Sequence, residues 1–485
     1  NSSESTKARI DEERAYYEQF ALKEPAGQVR YLNFDEDRFT RTRLMAALAD
    51  PSVDFAHIHS HGAVDAQYIS KEPYTYMTGE HIENVKSALR SRMRRSRDKE
   101  KTASELMLSY DVPASWLQGW DDPAVSARDS SRAAAVDITL KDLDGYASGA
   151  KVILLDACFN GAFLHDDYVA ARYAFGHGSR TFAVTANSVN IIQDHWKNEL
   201  AGLLCSGYSV GEWARNYMTL ESHLFGDPTY TFARSKAKNP DTARGKAFHD
   251  GKWNMDKCLI TMREDPSMNV RLEAFYRIMR EAAYIGFVNA AIRDALDDSY
   301  EMLRRMAARY AENYGEPGML DLLARHYLDP QESARVRYHL ANAFSLYPAE
   351  DVEKALRSAW NGTWPAKDEF EANISRISGS IKGNLREIDA LADESTPLKD
   401  KAFTISHQRN ACIPAAIDPM IAIIADPGAP EELRLKSAEA LGWYTHSFRR
   451  QEIYSRLKEL TVTDSAVADE VYRTLRRLED NAHTK

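Results

Sequence analysis

This chain is short of the features that would assign it at a glance. Its 485 residues hold four cysteines, Cys158, Cys205, Cys258 and Cys412. They form no C-x-x-C pair and no zinc-ligand spacing, which excludes a disulfide scaffold and a zinc module. Long hydrophobic runs are missing. No stretch approaches the ~18 to 20 apolar residues of a membrane span, and runs such as Val152–Leu155 are strand-sized. Positive charge is in deficit, with 62 Lys+Arg against 72 Asp+Glu and a net charge of −10. That removes the field on which polyphosphate binding depends, so nucleic acid is not expected as a partner. Low-complexity bias is also absent, and 44% hydrophobic with 28% charged residues is the balance of a folded globular chain. The first residue is Asn1 rather than Met, with no signal segment after it, which reads as a trimmed or processed product. At roughly 150 residues per domain, the length predicts two to three domains.

What is present divides the chain in two. In residues 1–235, short β-rich runs alternate with helical patterns. Val29–Phe34, Phe55–His59, Val152–Leu155 and Thr181–Thr185 read as strands, and Ile10–Leu22, Arg41–Ala49, 165–174 and 191–206 as helices. This alternation predicts a doubly wound α/β sheet, with both faces covered because the strands are apolar without polar alternation. An insertion, roughly 66–148, carries one helical stretch from about Gly79 to Leu108, with Ile82, Val85, Leu89 and Met93 as its apolar stripe. Residues 86–101 hold eight Lys/Arg and two Asp/Glu. That run is either a solvated helix face or a basic docking or processing segment around Arg90–Arg97.

From 236 to 485 the β signals stop and helical periods take over. Asp-Pro pairs recur at Asp265-Pro266, Asp329-Pro330 and Asp426-Pro427, each followed by a helix start bearing an apolar-Arg pair: Val270-Arg271, Val336-Arg337 and Leu433-Arg434. The pattern is similar to HEAT repeats. It predicts an α-helical solenoid in which Asp caps the helix, Pro sits in its first turn, and the array presents a surface to a partner.

Two clusters carry chemistry, both at the C-terminal ends of expected strands, where open α/β sheets place their sites. They are His57-Ile58-His59-Ser60-His61-Gly62 and Asp156-Ala157-Cys158-Phe159-Asn160-Gly161. A Cys on a sharp turn after such a strand is exposed, and favoured as thiolate if a helix begins there; the alternative is a buried Cys filling the core. A nearby His-Gly adds an imidazole and a flexible backbone N–H. Together these are the parts of an acyl-transfer site.

The His61-Gly62 and Leu155-Asp156-Ala157-Cys158 pair resembles the caspase-fold cysteine peptidases, a clan of caspases, legumains, clostripain and gingipains. Cys158–Phe163 and the closing Leu224-Phe225-Gly226-Asp227-Pro228-Thr229 look most like the gingipain family. The likeness covers about residues 29–232. It implies a cysteine endopeptidase with Cys158 as nucleophile, His61 as the imidazole that protonates the leaving amine, and the backbone N–H groups of Gly62 and Cys158 as oxyanion hole. It places Asp156 in the specificity pocket, with Asn187 and Ser188 after the fourth strand, and hence implies a basic P1 residue read by carboxylate pairing. No further acid follows before Asp194. A complete sheet of this kind has two strand-helix units before the catalytic His, whereas one strand precedes His61 here. No metal or cofactor is implied except calcium, which related enzymes bind, and no loop here has its ligand spacing. The family further implies a zymogen and a bacterial, secreted or periplasmic protein acting on protein or peptide, with the repeats available to a partner. Four unpaired thiols would suit the cytoplasm equally.

Two other readings compete. His57, His59 and His61 alternate on one strand face and could hold a metal for hydrolysis. Alternatively, the α/β part is an inactive scaffold for the solenoid.

Overall fold

The computed structural model describes residues 17, 29–32, 41–69, 75, 77–190, 200–205, 207–217, 221–232, 240–282 and 284–480. The chain divides into two units, Asn1–Ala237 and Lys238–Lys485.

The first unit is built on a four-stranded sheet. Strand β1 (Phe55–His59) lies parallel to β5 (Val152–Asp156), β5 parallel to β6 (Ala183–Asn187), and β6 antiparallel to β7 (Ser222–Gly226). Every residue of β5 and β6 is buried, the apolar Val152–Leu155 run because both sheet faces are covered, and with it the polar Asp156, Thr185 and Asn187. Alternation sends Ile58, Ile153, Leu155, Val184 and Ala186 to one face. There they pack on Leu44 and Leu48 of helix α1 (Arg41–Ala49) and on Val169, Ala170 and Tyr173 of a helix at Val169–Phe175. The same alternation puts Phe55, His57 and His59 on the opposite face, where the Phe55 ring meets buried Trp213 edge-on at 5.8 Å.

Immediately beyond β1 the chain enters a small antiparallel sheet of β2 (His61–Gly62), β3 (Ala66–Tyr68) and β4 (Ile138–Thr139). Its pairing brings the two ends of the insertion together, so the intervening residues form an excursion with its own core of Leu89, Met93, Leu106 and Leu117. The single helical stretch expected there is two helices, α2 (Thr78–Arg95) and α3 (Lys99–Tyr110). Lys99 Nζ donates to the carbonyls of Met93, Arg94 and Ser96, while the Asp98 carboxylate accepts the Lys101 N–H and starts α3. Helix α4 (Pro123–Ala134) supplies Asp129, which accepts hydrogen bonds from Arg90 and Arg94. Part of the basic run is therefore interior.

Several expected elements shift. Residues 29–32 carry no strand, and 33–34 lie outside the described residues. The expected helix Ile10–Leu22 lies outside them too, except Tyr17, which is helical. The fourth strand starts two residues late at Ala183, and the helix expected at 165–174 is α6 (Val169–Phe175), which follows α5 (Leu140–Leu143). Of the helix expected at 191–206, the described part is α7 (Gly202–Cys205). It precedes α8 (Val210–Tyr217), which holds Trp213.

The second unit is all helical among its described residues. The order is α9 (Pro240–Asp250), α10 (Met255–Glu264), α11 (Met268–Glu281), α12 (Ile285–Leu296), α13 (Glu301–Tyr314), α14 (Leu320–Tyr327), α15 (Ala334–Ala343), α16 (Ala349–Ala359), α17 (Lys367–Asp389), α18 (Leu398–Ala411), α19 (Ile417–Ala425), α20 (Glu431–Leu441), α21 (Arg450–Glu459) and α22 (Ser465–Asp480). Helices pack on their neighbours and on the next but one, as α13 on α15, α18 on α20 and α20 on α22. This is the layered pattern of a solenoid-like array.

The Asp-Pro pairs act differently from the expectation. Asp265, Asp329 and Asp426 each accept the backbone N–H two residues on, at 2.8 Å, so each builds the turn between helices rather than capping the next one. The following helices begin at Met268, Ala334 and Glu431. The arginines that follow reach backwards. Arg271 donates to Met262 O and Arg434 to Ile424 O at 3.2 Å, satisfying carbonyls in the last turn of the preceding helix, while Arg337 donates to Asp329 O at 3.0 Å in the turn itself.

Candidate active site at the sheet edge

The register fixes the site. His59 pairs with Asp156 across β1 and β5, so the segments that follow, Ser60–Gly62 and Ala157–Gly161, leave the sheet side by side. Ser60 N donates to Asp156 O at 3.3 Å, carrying the pairing one residue further.

The Cys158 turn is held from several sides. Phe159 has φ 57°, an uncommon conformation for a bulky residue, and its N–H donates to Val189 O at 3.2 Å. Gly161 N donates to Asn187 O at 2.8 Å, and a Cβ at Gly161 would lie 2.9 Å from Ala186 Cβ. Asn187 in turn donates through Nδ2 to Ala157 O at 3.1 Å and accepts from Ser222 Oγ at 2.8 Å. Asn160 is fully buried, and its Nδ2 donates to Ala63 O at 2.7 Å and Ala66 O at 3.0 Å. The Cys158 loop is thereby tied to the hairpin that carries His61 and Gly62.

Gly62 makes the closest approach. A Cβ there would lie 2.5 Å from Cys158 O and 2.7 Å from Asn160 Nδ2, so only glycine fits. His61 is exposed and opposes Tyr68 in β2–β3. Cys158 is part-exposed, and its Sγ donates to Asn190 Oδ1 at 3.1 Å. Cys258 and Cys412 are buried, and burial pushes the Cys258 thiol up to about 11, which makes it inert at neutral pH. Among the described free thiols, Cys158 alone reaches solvent.

The expected pocket residues occupy three settings. Asp156 is 8% exposed and its Oδ2 lies 2.8 Å from His59 Nδ1. Asn187 is buried and spends both ends of its amide on the scaffold just described. Ser188 Oγ lies 2.7 Å from His223 Nε2, and the Phe163 ring stands edge-on to His223 at 4.7 Å.

The three alternating histidines do not act together. His61 belongs to the second sheet, whereas His57 and His59 stay on β1 and are joined by Asp156, with one ligand atom from each all within 4.8 Å of one another. This corrects the three-histidine set expected from alternation, because the strand ends at His59 and the chain turns at Ser60.

Sequence reasoning missed Asn160 as the clamp, Asn190 as the thiol's partner and His223 beside Ser188. For Asn160 a signal existed, a polar residue inside an otherwise small and apolar turn. The other two are set by tertiary contact alone.

No family model matches this chain, and no curated protein is similar to it. Among solved structures, human deoxyhypusine hydroxylase in complex with glycerol overlaps 46% of this chain and 96% of its own, at 16% identity and a TM-score of 0.21. An overlap at that score establishes no common fold. No described helix is long and apolar enough to cross a membrane.

Proposed function

We propose that the first unit is a caspase-fold cysteine endopeptidase, closest in its motifs to the gingipain family, with Cys158 as nucleophile and His61 as proton donor. The observation that carries this reading is the contact of Gly62 with the Cys158 backbone, which joins His-Gly and Cys motifs that lie far apart in the sequence. It is supported by a parallel sheet closed by one antiparallel strand, and by a cysteine held on a strained turn at a strand's C-terminal end.

In this reading the Cys158 sulfur attacks the scissile carbonyl carbon, and the oxyanion faces the backbone N–H groups of Gly62 and Cys158. The C–N bond then breaks as His61 protonates the departing amine, leaving a thioester on Cys158. Water hydrolyses the thioester and frees the thiol. The proposed basic P1 preference rests on Asp156, whose buried carboxylate is engaged by His59. The helical unit is proposed to bind a partner or substrate.

A peptide-library digest with wild type and Cys158→Ala, with and without chelator, tests the assignment. Cleavage lost in Cys158→Ala and indifferent to chelator is expected, and the residues preceding the cut sites read P1 directly. Cleavage that survives Cys158→Ala overturns the reading. Cleavage by neither protein favours the inactive scaffold.

A further inference from the structure

We propose that His57, His59 and Asp156 form a binding site for one divalent transition-metal ion of the zinc class, distinct from the thiol chemistry of Cys158. The argument begins with the backbone. His57 and His59 share a face of β1 because they are two residues apart, and Asp156 enters the same face from β5 because it is in register with His59. Two imidazoles and a carboxylate converge, with one ligand atom from each all within 4.8 Å of one another. In a tetrahedral zinc site with bonds of 2.0–2.2 Å, ligand atoms stand about 3.3 Å apart. The 2.8 Å between His59 Nδ1 and Asp156 Oδ2 therefore needs only to open slightly, and the other ligand-atom separations lie within 4.8 Å.

The donor set selects the ion. Two nitrogens and one oxygen suit zinc and its transition-metal neighbours. Calcium takes six to eight oxygens and is disfavoured at a site dominated by imidazole. The surroundings fit a metal site as well. Tyr17 OH lies 3.1 Å from His57 Nδ1, so it can hold that ring's orientation and leave Nε2 for the ion. Asp156 is nearly buried, and a buried carboxylate needs a compensating positive group. His57 and His59 stand side by side, with ring centroids 6.4 Å apart, so both imidazoles face the carboxylate.

The test uses the full chain carrying Cys158→Ala, stripped with chelator and titrated with zinc chloride by calorimetry. In that background the outcome does not depend on the peptidase reading. One equivalent of zinc is expected to bind, calcium chloride is expected to give no binding heat, and zinc is expected to raise the melting temperature. His57→Ala and Asp156→Asn should each weaken zinc binding by about tenfold or more. Asp156→Asn preserves side-chain shape and a hydrogen bond to His59, and circular dichroism of both variants checks that they fold. Cobalt substitution provides a second readout, with visible d–d bands and no thiolate-to-metal charge-transfer band. The proposal is overturned by absence of zinc binding, by zinc binding of parental strength in both folded variants, or by a thiolate charge-transfer band that places the ion on the remaining cysteines.

Discussion

At Gly62 the absence of a side chain decides whether two motifs can meet. A methyl group there would collide with the Cys158 carbonyl and the Asn160 amide, and neither can retreat, because Asn160 is buried and bonded to Ala63 and Ala66. Gly62→Ala should therefore destabilise the first unit by about 1–3 kcal/mol, the usual cost of overpacking. Under the peptidase reading proposed above it should also slow peptide cleavage more than tenfold, since about 1.4 kcal/mol of misplacement at the transition state is already a factor of ten. Thermal melts and cleavage rates on one peptide measure the two effects separately. Residues of this kind were half legible in the sequence. Cys158 and His61-Gly62 stand out because their types are rare and their chemistry is specific. Asn160 and Asn190 do not, because an amide becomes informative only when its partners are known, and those partners come from distant parts of the chain.

Helices and turns show a second pattern, in which arginines that look like surface charge are structural. Asp129 is buried between Arg90 and Arg94. Burial pushes its carboxyl up, but hydrogen bonds from the two arginines outweigh this and bring it down to about 2 from 3.8. A depressed carboxyl contributes stability that is complete above its unfolded value and is lost as pH falls through the folded one. The stability gap between wild type and Asp129→Asn should thus be roughly 2 kcal/mol at neutral pH and shrink between about pH 4 and pH 2. Denaturant melts across that range give the curve.

The same logic holds in the helical unit. Arg434 is buried and donates to Ile424 O, so Arg434→Met should cost about 1–3 kcal/mol by orphaning that carbonyl. Arg456→Ala removes an exposed ion pair with Asp418 and should cost less than about 1 kcal/mol. Equal losses in the two variants, read by chemical denaturation, would count against the backward-capping role. The apolar-Arg pairs were visible in the sequence, but their task was not. The direction in which an arginine reaches depends on how the preceding helix ends, and the Asp-Pro turn that sets this looks, residue by residue, like a helix cap.

For the whole molecule, the division into two units has a direct consequence. The helical unit has its own core, in which Ile417, Met420, Leu441, Tyr444 and Ile453 are fully buried together, and the sheet's core lies in the other unit. A fragment spanning residues 238–485 should therefore keep helical circular dichroism and melt cooperatively. A fragment that is unfolded, or that melts without cooperativity, would show the two units to be one folding entity. The boundary was legible because strand patterns end where helical periods begin, a change in periodicity that needs no tertiary information.

The pairing of β1 with β5 also governs when a site can exist at all. His59 and Asp156 touch at a sequence separation of 97 positions, so the ribosome must finish the whole excursion before the strand that leads into Cys158 can dock. Long loops add little to the closing cost, about 0.6 kcal/mol per doubling, but pairings this remote form slowly. A nascent chain released or stalled within the excursion holds the imidazole without the thiol. The meeting of His61-Gly62 with Cys158 is thus coupled to completion of the sheet.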